Sequence, residues 1–236
     1  MINTLNETKL HKTIKNIYAI NTEGKTEVKS GTYIADIVTK DDEIIEIQTS
    51  SISSLKPKIQ HFLKLNKKLT VVFPVPEEKI IETKDSSGNI LSKRKSPQKK
   101  SEYSVFRELT GIYPYLTDKN FTLILLLCSI TEERTSFPDV VQSKNNRRRF
   151  KKNWLKTGKR LNVINREIVL KTKSDYKKLL PENLNSFTLK EFICELRSKK
   201  KSINVSQGRF FLWIYTKLGI IKLSGKKGKE NLYEKK

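Results

Sequence analysis

The chain has 236 residues, 36% of them hydrophobic, and carries 48 Lys and Arg against 25 Asp and Glu, a formal net charge of +23. That length supports one large core, or a medium core with a small one beside it. Two cysteines and two histidines exclude a four-cysteine zinc site and a histidine-rich metal centre. The longest apolar run, around Leu123–Cys128, is too short to span a bilayer, so no membrane partner is expected.

Met1–Thr4 lacks a basic-then-apolar signal pattern, and Cys128 and Cys194 sit in apolar contexts far apart in sequence. Two buried free thiols in a soluble cytoplasmic protein are expected. The positive charge is unevenly placed: 27 of the 48 basic residues but only 8 of the 25 acidic ones follow residue 135. Lysine usage alone would spread evenly. The asymmetry points to a polyanionic partner, nucleic acid ahead of an anionic membrane surface or a charge that serves only solubility.

Leu5, Leu10, Ile14 and Ile17 predict a helix over residues 4–19, with Thr4 or Asn6 as its cap. A short strand is expected at Thr26–Lys29. Tyr33–Val38 and Ile44–Gln48 then alternate with a period of two, joined by the polar loop Thr39–Glu43. Folding this hairpin about Asp41 opposes Val38 with Ile44, Asp36 with Glu46, and Ile34 with Gln48. Opposed side chains lie ~4.5–5.5 Å apart, so two carboxylates would stand together on one face, where like charges repel. Either the hairpin is an edge whose carboxylates face water, or a divalent cation lies between them.

A helix is expected over Ile52–Leu65, with Pro57 tolerated early, followed by a strand buried on both faces at Leu69–Val75. Then come a strand at Lys79–Thr83, a turn at Ser86–Asn89 and a basic loop, Ser92–Lys100, in which Lys95 is a candidate nucleic-acid contact. A helix over Tyr103–Ile112 and a strand over Phe121–Ile130 follow. In the basic stretch Ser143–Arg160, Phe150 and Trp154 interleave with Arg147, Arg148, Arg149 and Lys151. That composition suits phosphate contact with base stacking; the plain alternative is a solvated charged face. A strand at Leu161–Leu170 and a linker at Pro181–Ser186 complete this part.

Residues 187–236 read as a separate unit. Leu189, Phe192, Ile193 and Leu196 share one helical face. Ser206 can cap a second helix, Gln207–Leu218, which Gly219 ends. Two short strands with a Gly- and Lys-rich tip follow. This order resembles a winged-helix module. The resemblance makes Gln207 and Arg209 candidate base or phosphate readers and Lys226, Lys227 and Lys229 candidate wing contacts.

Residues 1–76, with Asp36 and the triplet Glu46-Ile47-Gln48, resemble the PD-(D/E)xK superfamily of restriction-endonuclease-like nucleases. The whole chain is also similar to a bacterial family with blocks like "LNE", "IADI", "IEIQT" and "KRKSP" in this order. The nuclease resemblance implies an α/β (α+β) fold with an αβββαβ core and a mixed sheet. The domain would cover 1–180 (core 1–76, extended by basic loops and strands over 77–180), with the winged helix at 187–236. It implies Asp36 and Glu46 as ligands of Mg²⁺ (or Mn²⁺), the Ile47 carbonyl as a third, and Glu7 as a helix carboxylate completing the site. Gln48 stands where the family usually has lysine; Lys56 or Lys58 could substitute.

The implied activity is metal-dependent DNA cleavage, with duplex DNA as partner and a homodimer where both strands are cut. A bound ion lowers the pKa of water and stabilises charge on the phosphate. Two alternatives stand beside it: a catalytically silent DNA-binding regulator, and a protein-interaction module.

Overall fold

The apolar runs at Tyr33–Val38, Ile44–Ile47, Leu69–Val75 and Phe121–Ile130 all become strand. A computed structural model describes residues 8–143 and 146–236. The chain opens with α1 (Lys9–Asn21), capped by the Thr8 hydroxyl, which accepts the His11 N–H. It continues through β1 (Lys25–Ser30), β2 (Tyr33–Val38) and β3 (Ile44–Ile47). A 3₁₀ turn over Ile52–Leu55 runs into α2 (Lys56–Lys64), followed by β4 (Leu69–Lys84) and β5 (Ile90–Lys95). Further on come α3 (Phe106–Leu109), β6 (Phe121–Val141) and β7 (Lys152–Leu170).

Seven strands form one sheet in the order β1-β2-β3-β4-β6-β7, with β5 also on β4. The pairs β3/β4 and β4/β6 are parallel and the others antiparallel, so the sheet is mixed. The helix α1 packs Leu10 and Ile14 with Ile37, Ile45, Ile47 and Val72 in one buried cluster. On α2, Ile59 and Phe62 pack with Ile44, Val71 and Leu123 in the other.

The central strand β4 contains Pro74 and Pro76, which lack the N–H a ladder needs. The reason is local. Along one edge β3 pairs only through Val72, and β5 begins pairing only at Ile80. Val72 turns its carbonyl to that edge, accepting the Gln48 N–H, so the two prolines of like parity face the gap between partners.

Beyond β7 the chain forms α4 (Lys173–Lys177), β8 (Ser186–Thr188), α5 (Leu189–Ser198), α6 (Val205–Lys217), β9 (Ile221–Lys227) and β10 (Glu230–Lys235). These three strands make a small antiparallel sheet, β8-β10-β9. Gly219, at φ +66°, ends α6 as the sequence predicts. The α2-side cluster runs without a break into this region. Phe211 of α6 lies against Phe106 (ring centroids 4.6 Å) and Tyr103 (5.4 Å) from before β6, and against Phe192 (4.7 Å) and Tyr215 (3.9 Å).

Several local expectations change. Ser92–Lys95 is strand rather than loop, because β4 and β6 extend past the apolar core and offer a partner edge. For the same reason β7 begins at Lys152, so Lys152–Arg160 is ladder, not a free basic segment. The expected helix over Tyr103–Ile112 breaks into a 3₁₀ turn, the single turn α3 and a second 3₁₀ turn at Tyr113–Tyr115. The cap of α6 is Asn204, not Ser206. Both cysteines are free, but only Cys128 is buried; Cys194 is exposed. The candidate caps Thr4 and Asn6 lie outside the described residues. Among the described residues no helix is long and apolar enough to cross a membrane.

Candidate active site

The hairpin register is the expected one, with Val38 opposite Ile44 and Ile37 opposite Ile45. One step further the ladder opens, and the two carboxylates take over its hydrogen bonds. Ile47 N–H donates to Asp36 Oδ2 at 2.8 Å, and Asp36 N–H donates to Glu46 Oε1 at 3.2 Å. Asp36 and Glu46 therefore share one opening between β2 and β3.

Two helices close on this opening. From α2, Lys58 Nζ donates to Glu46 Oε2 at 2.6 Å and to the Ile34 carbonyl at 2.5 Å. From α1, His11 Nε2 lies 3.3 Å from Asp36 Oδ2. One turn along α1, buried Lys15 pairs with Glu27 of β1, which lies between the paired positions Thr26/Ile37 and Val28/Ala35. Glu27 has a φ of 56°, a conformation that costs roughly 1–3 kcal/mol for a non-glycine residue and is common at functional sites.

The two carboxylates are pushed apart electrostatically. Glu46 is 3% exposed. Burial, then the charge of Asp36, raises its pKa to about 7, and Lys58 only partly offsets them. Burial also pushes Asp36 upward, but the His11 and Ile47 hydrogen bonds and the charges of His11 and Lys58 outweigh it, leaving Asp36 below the usual range. At neutral pH the pair thus combines a fixed anion with a second carboxyl poised to lose its proton.

The structure thus gathers Asp36, Glu46 and Lys58, with the Ile47 backbone between them. It sends Gln48 elsewhere. The Gln48 amide donates to Ser51 O (2.9 Å) and Ser54 Oγ (3.1 Å), and its carbonyl accepts from Ser50 Oγ (3.2 Å), so it shapes the turn into α2. Lys56 is exposed two residues before Lys58. Glu7 lies outside the described residues. His11, Lys15 and Glu27 went unread in the sequence; the i, i+4 spacing of His11 and Lys15 on one helical face was the available signal.

Oxygen donors of this kind suit a hard divalent ion, and Mg²⁺ is commonly held by one or two carboxylates with waters and substrate phosphates. Among the described residues no group of three His, Cys, Asp or Glu could hold a metal. A bound ion would therefore rest on Asp36, Glu46 and the Ile47 carbonyl. Asp36 Oδ1 accepts no hydrogen bond from the described residues and is the open donor.

The candidate nucleic-acid contacts are scattered. Lys95 is exposed at the end of β5. Arg148 donates to the Trp154 carbonyl at 2.9 Å and stacks on its ring, with Arg134 also over that ring at 3.7 Å. Trp154 is thus covered rather than open to a base. Phe150 is exposed beside Arg149, and Lys151 is exposed. Gln207 is taken up in a capping box with Asn204. Arg209 is exposed on α6; Lys227 pairs with Glu191 at 2.6 Å, while Lys226 and Lys229 are exposed near the β9–β10 tip.

Fold and site together define a mixed α+β protein with a carboxylate–lysine cluster at an opened strand pair. Residues 8–171 match the domain of unknown function DUF8091, and the chain belongs to that family. An uncharacterized protein of Treponema pallidum (strain Nichols) is similar, 30% identical over 122 residues, covering 52% of this chain. The chain spans about half (48%) of the length of that curated relative. No solved structure matches.

Proposed function

We propose that the chain is a divalent-metal-dependent DNA phosphodiesterase of the PD-(D/E)xK kind, with Asp36 and Glu46 as ion ligands and Lys58 in the place of the missing motif lysine. The observation that carries this reading is the Lys58 ammonium, 2.6 Å from the buried Glu46 carboxylate. An ammonium there can neutralise charge developing on a phosphate, which Gln48 cannot. The element order α1-β1-β2-β3-α2-β4 agrees with the αβββαβ core of that superfamily. The bound ion would supply an activated water and charge stabilisation at the phosphate.

The order α4-β8-α5-α6-β9-β10, with the sheet β8-β10-β9, supports a winged helix as the DNA-delivering unit. Exposed Arg209, Lys226 and Lys229 are its candidate phosphate contacts.

A second reading, a silent DNA-binding protein, is favoured by one observation. Lys58 and His11 already engage one oxygen of each carboxylate without an ion. Incubation with supercoiled and linear DNA in Mg²⁺ or Mn²⁺, against an EDTA control, separates the two. Cleavage abolished by Asp36→Asn supports the enzyme; binding without cleavage supports the silent protein.

A further inference from the structure

Where β4, β6 and β7 outrun the apolar core, they and the segment after β5 enclose a cavity of about 170 Å³. It is lined by Lys79, Lys100, Lys156 and Lys159, with Gln98 and the single carboxylate Glu132. That carboxylate is already shared. Arg134 donates to its Oε1 at 2.6 Å, and Lys156 and Lys79 lie 3.2 and 3.6 Å from its Oε2. Lys100 and Lys159 have no carboxylate in ion-pair range among the described residues.

Four ammonium groups around one neutralised carboxylate repel one another unless an anion enters. The cavity is smaller than the ~300–1,000 Å³ of sites for drug-sized ligands, so it suits a single small anionic group. A second opening, of about 490 Å³, shares Lys100 and adds Lys99 and Lys200 together with Ser129 and Asn165. Of its acids, Glu77 is bound by Arg166 and Asn165, each at 3.1 Å. The second acid there, Glu78, is exposed, and lysines outnumber acids in both openings, which share the Lys100 side; two adjoining basic openings fit a chain of phosphates better than one free ion. Among the described residues no base-stacking ring lines either of them, so contact would be to the backbone, without sequence reading.

We propose that this four-lysine cavity seats one phosphate of a nucleic-acid backbone that continues along the opening beside Lys99 and Lys200. The cavity shares no lining residue with the Asp36–Glu46 cluster, and the proposal does not rest on the nuclease reading. The state of Lys159 agrees with the geometry. Burial, then Lys156, Lys100 and Lys79, hold its pKa down to about 8, with Glu132 pulling the other way, so an incoming phosphate would add counter-charge.

The test uses the full chain, metal-free, with a short DNA duplex and no cleavage readout. Amine-reactive labelling followed by mass spectrometry should modify Lys159 well ahead of exposed lysines near pH 8. Added duplex should protect Lys159 and Lys100 together. The variant Lys100→Gln/Lys159→Gln should weaken duplex binding severalfold and make the salt slope shallower by roughly 0.9, the loss of one phosphate contact. Circular dichroism and the melting temperature check that it folds; should it not, Lys159→Arg, which keeps charge and bulk, must retain binding while losing the early-labelling site. Protection by inorganic phosphate but not by duplex would overturn the proposal in favour of a small-anion site. An unchanged salt slope in the folded variant would overturn it too.

Discussion

Lys58, on the first full turn of α2, places its ammonium 2.6 Å from Glu46 Oε2 and thereby ties that helix to the β3 strand on which the buried carboxylate lies. The pairing has two consequences. It holds Lys58 at the opening between β2 and β3, and it offsets part of the cost of burying Glu46 beside Asp36.

Replacing Lys58 by Met leaves Glu46 buried without its cation. Breaking a buried pair in this way typically costs about 3–5 kcal/mol. Glu46 escapes part of that by taking a proton, so the loss should be larger one pH unit above its value of about 7 than one unit below. Urea denaturation at the two pH values measures it. Adding Glu46→Gln to Lys58→Met should recover much of the stability; equal losses at both pH values would show that the pair is not coupled to protonation.

The sign for Glu46 itself follows from its raised pKa. The folded state holds this proton more tightly than the unfolded chain does, so the stabilisation is full below the ordinary value of 4.5 and is lost as pH rises to about 7. Glu46→Gln should therefore be more stable than the parent above pH 7, by about 1–3 kcal/mol, since each tenfold difference in proton affinity between folded and unfolded chain is worth ~1.4 kcal/mol. Asp36, whose pKa is lowered, contributes in the opposite sense, and its share is lost only in acid. Chemical denaturation across this range gives both slopes.

If a divalent ion binds here, it must displace the Glu46 proton. Calorimetry with Mg²⁺ or Mn²⁺ in two buffers of different ionisation enthalpy should show proton release below pH 7 that vanishes one unit above it. Glu46→Ala should abolish both the release and any metal-dependent cleavage. Metal binding with no proton release at any pH would place the ion elsewhere.

Gln48→Lys supplies the lysine that the proposed nuclease motif would carry and tests whether letter or geometry matters. The native amide donates to Ser51 O and Ser54 Oγ, so the substitution should cost about 1 kcal/mol per lost hydrogen bond. Because Lys58 already stands on Glu46, cleavage should not rise. A marked increase in rate would mean that Lys58 is a structural partner only.

Phe211 binds the C-terminal unit to the rest of the molecule through Tyr103 and Phe106. Phe211→Ala should cost about 3–5 kcal/mol. Thermal unfolding should remain a single transition shifted downward. A split into two transitions would show that the units hold together without this stack.

The sequence by itself determined the elements whose signals are local. The period-two hairpin put Asp36 across from Glu46, because register in a short polar-looped hairpin follows from alternation alone. Gly219 and the apolar faces of α5 and α6 marked the last helices for the same reason. Only the tertiary structure decided the rest. Basic segments such as Ser92–Lys95 and Lys152–Arg160 carry no apolar pattern, and they are strands because long neighbours lend them hydrogen-bonding edges. Lys58 and His11 reach Asp36 and Glu46 from two separate helices, one on each side of the sheet in sequence and space. The sequence offers Lys56 and Lys58 as alternatives and a helical face bearing His11; which of them meets the carboxylates depends on how both helices dock against the strands, a long-range packing outcome.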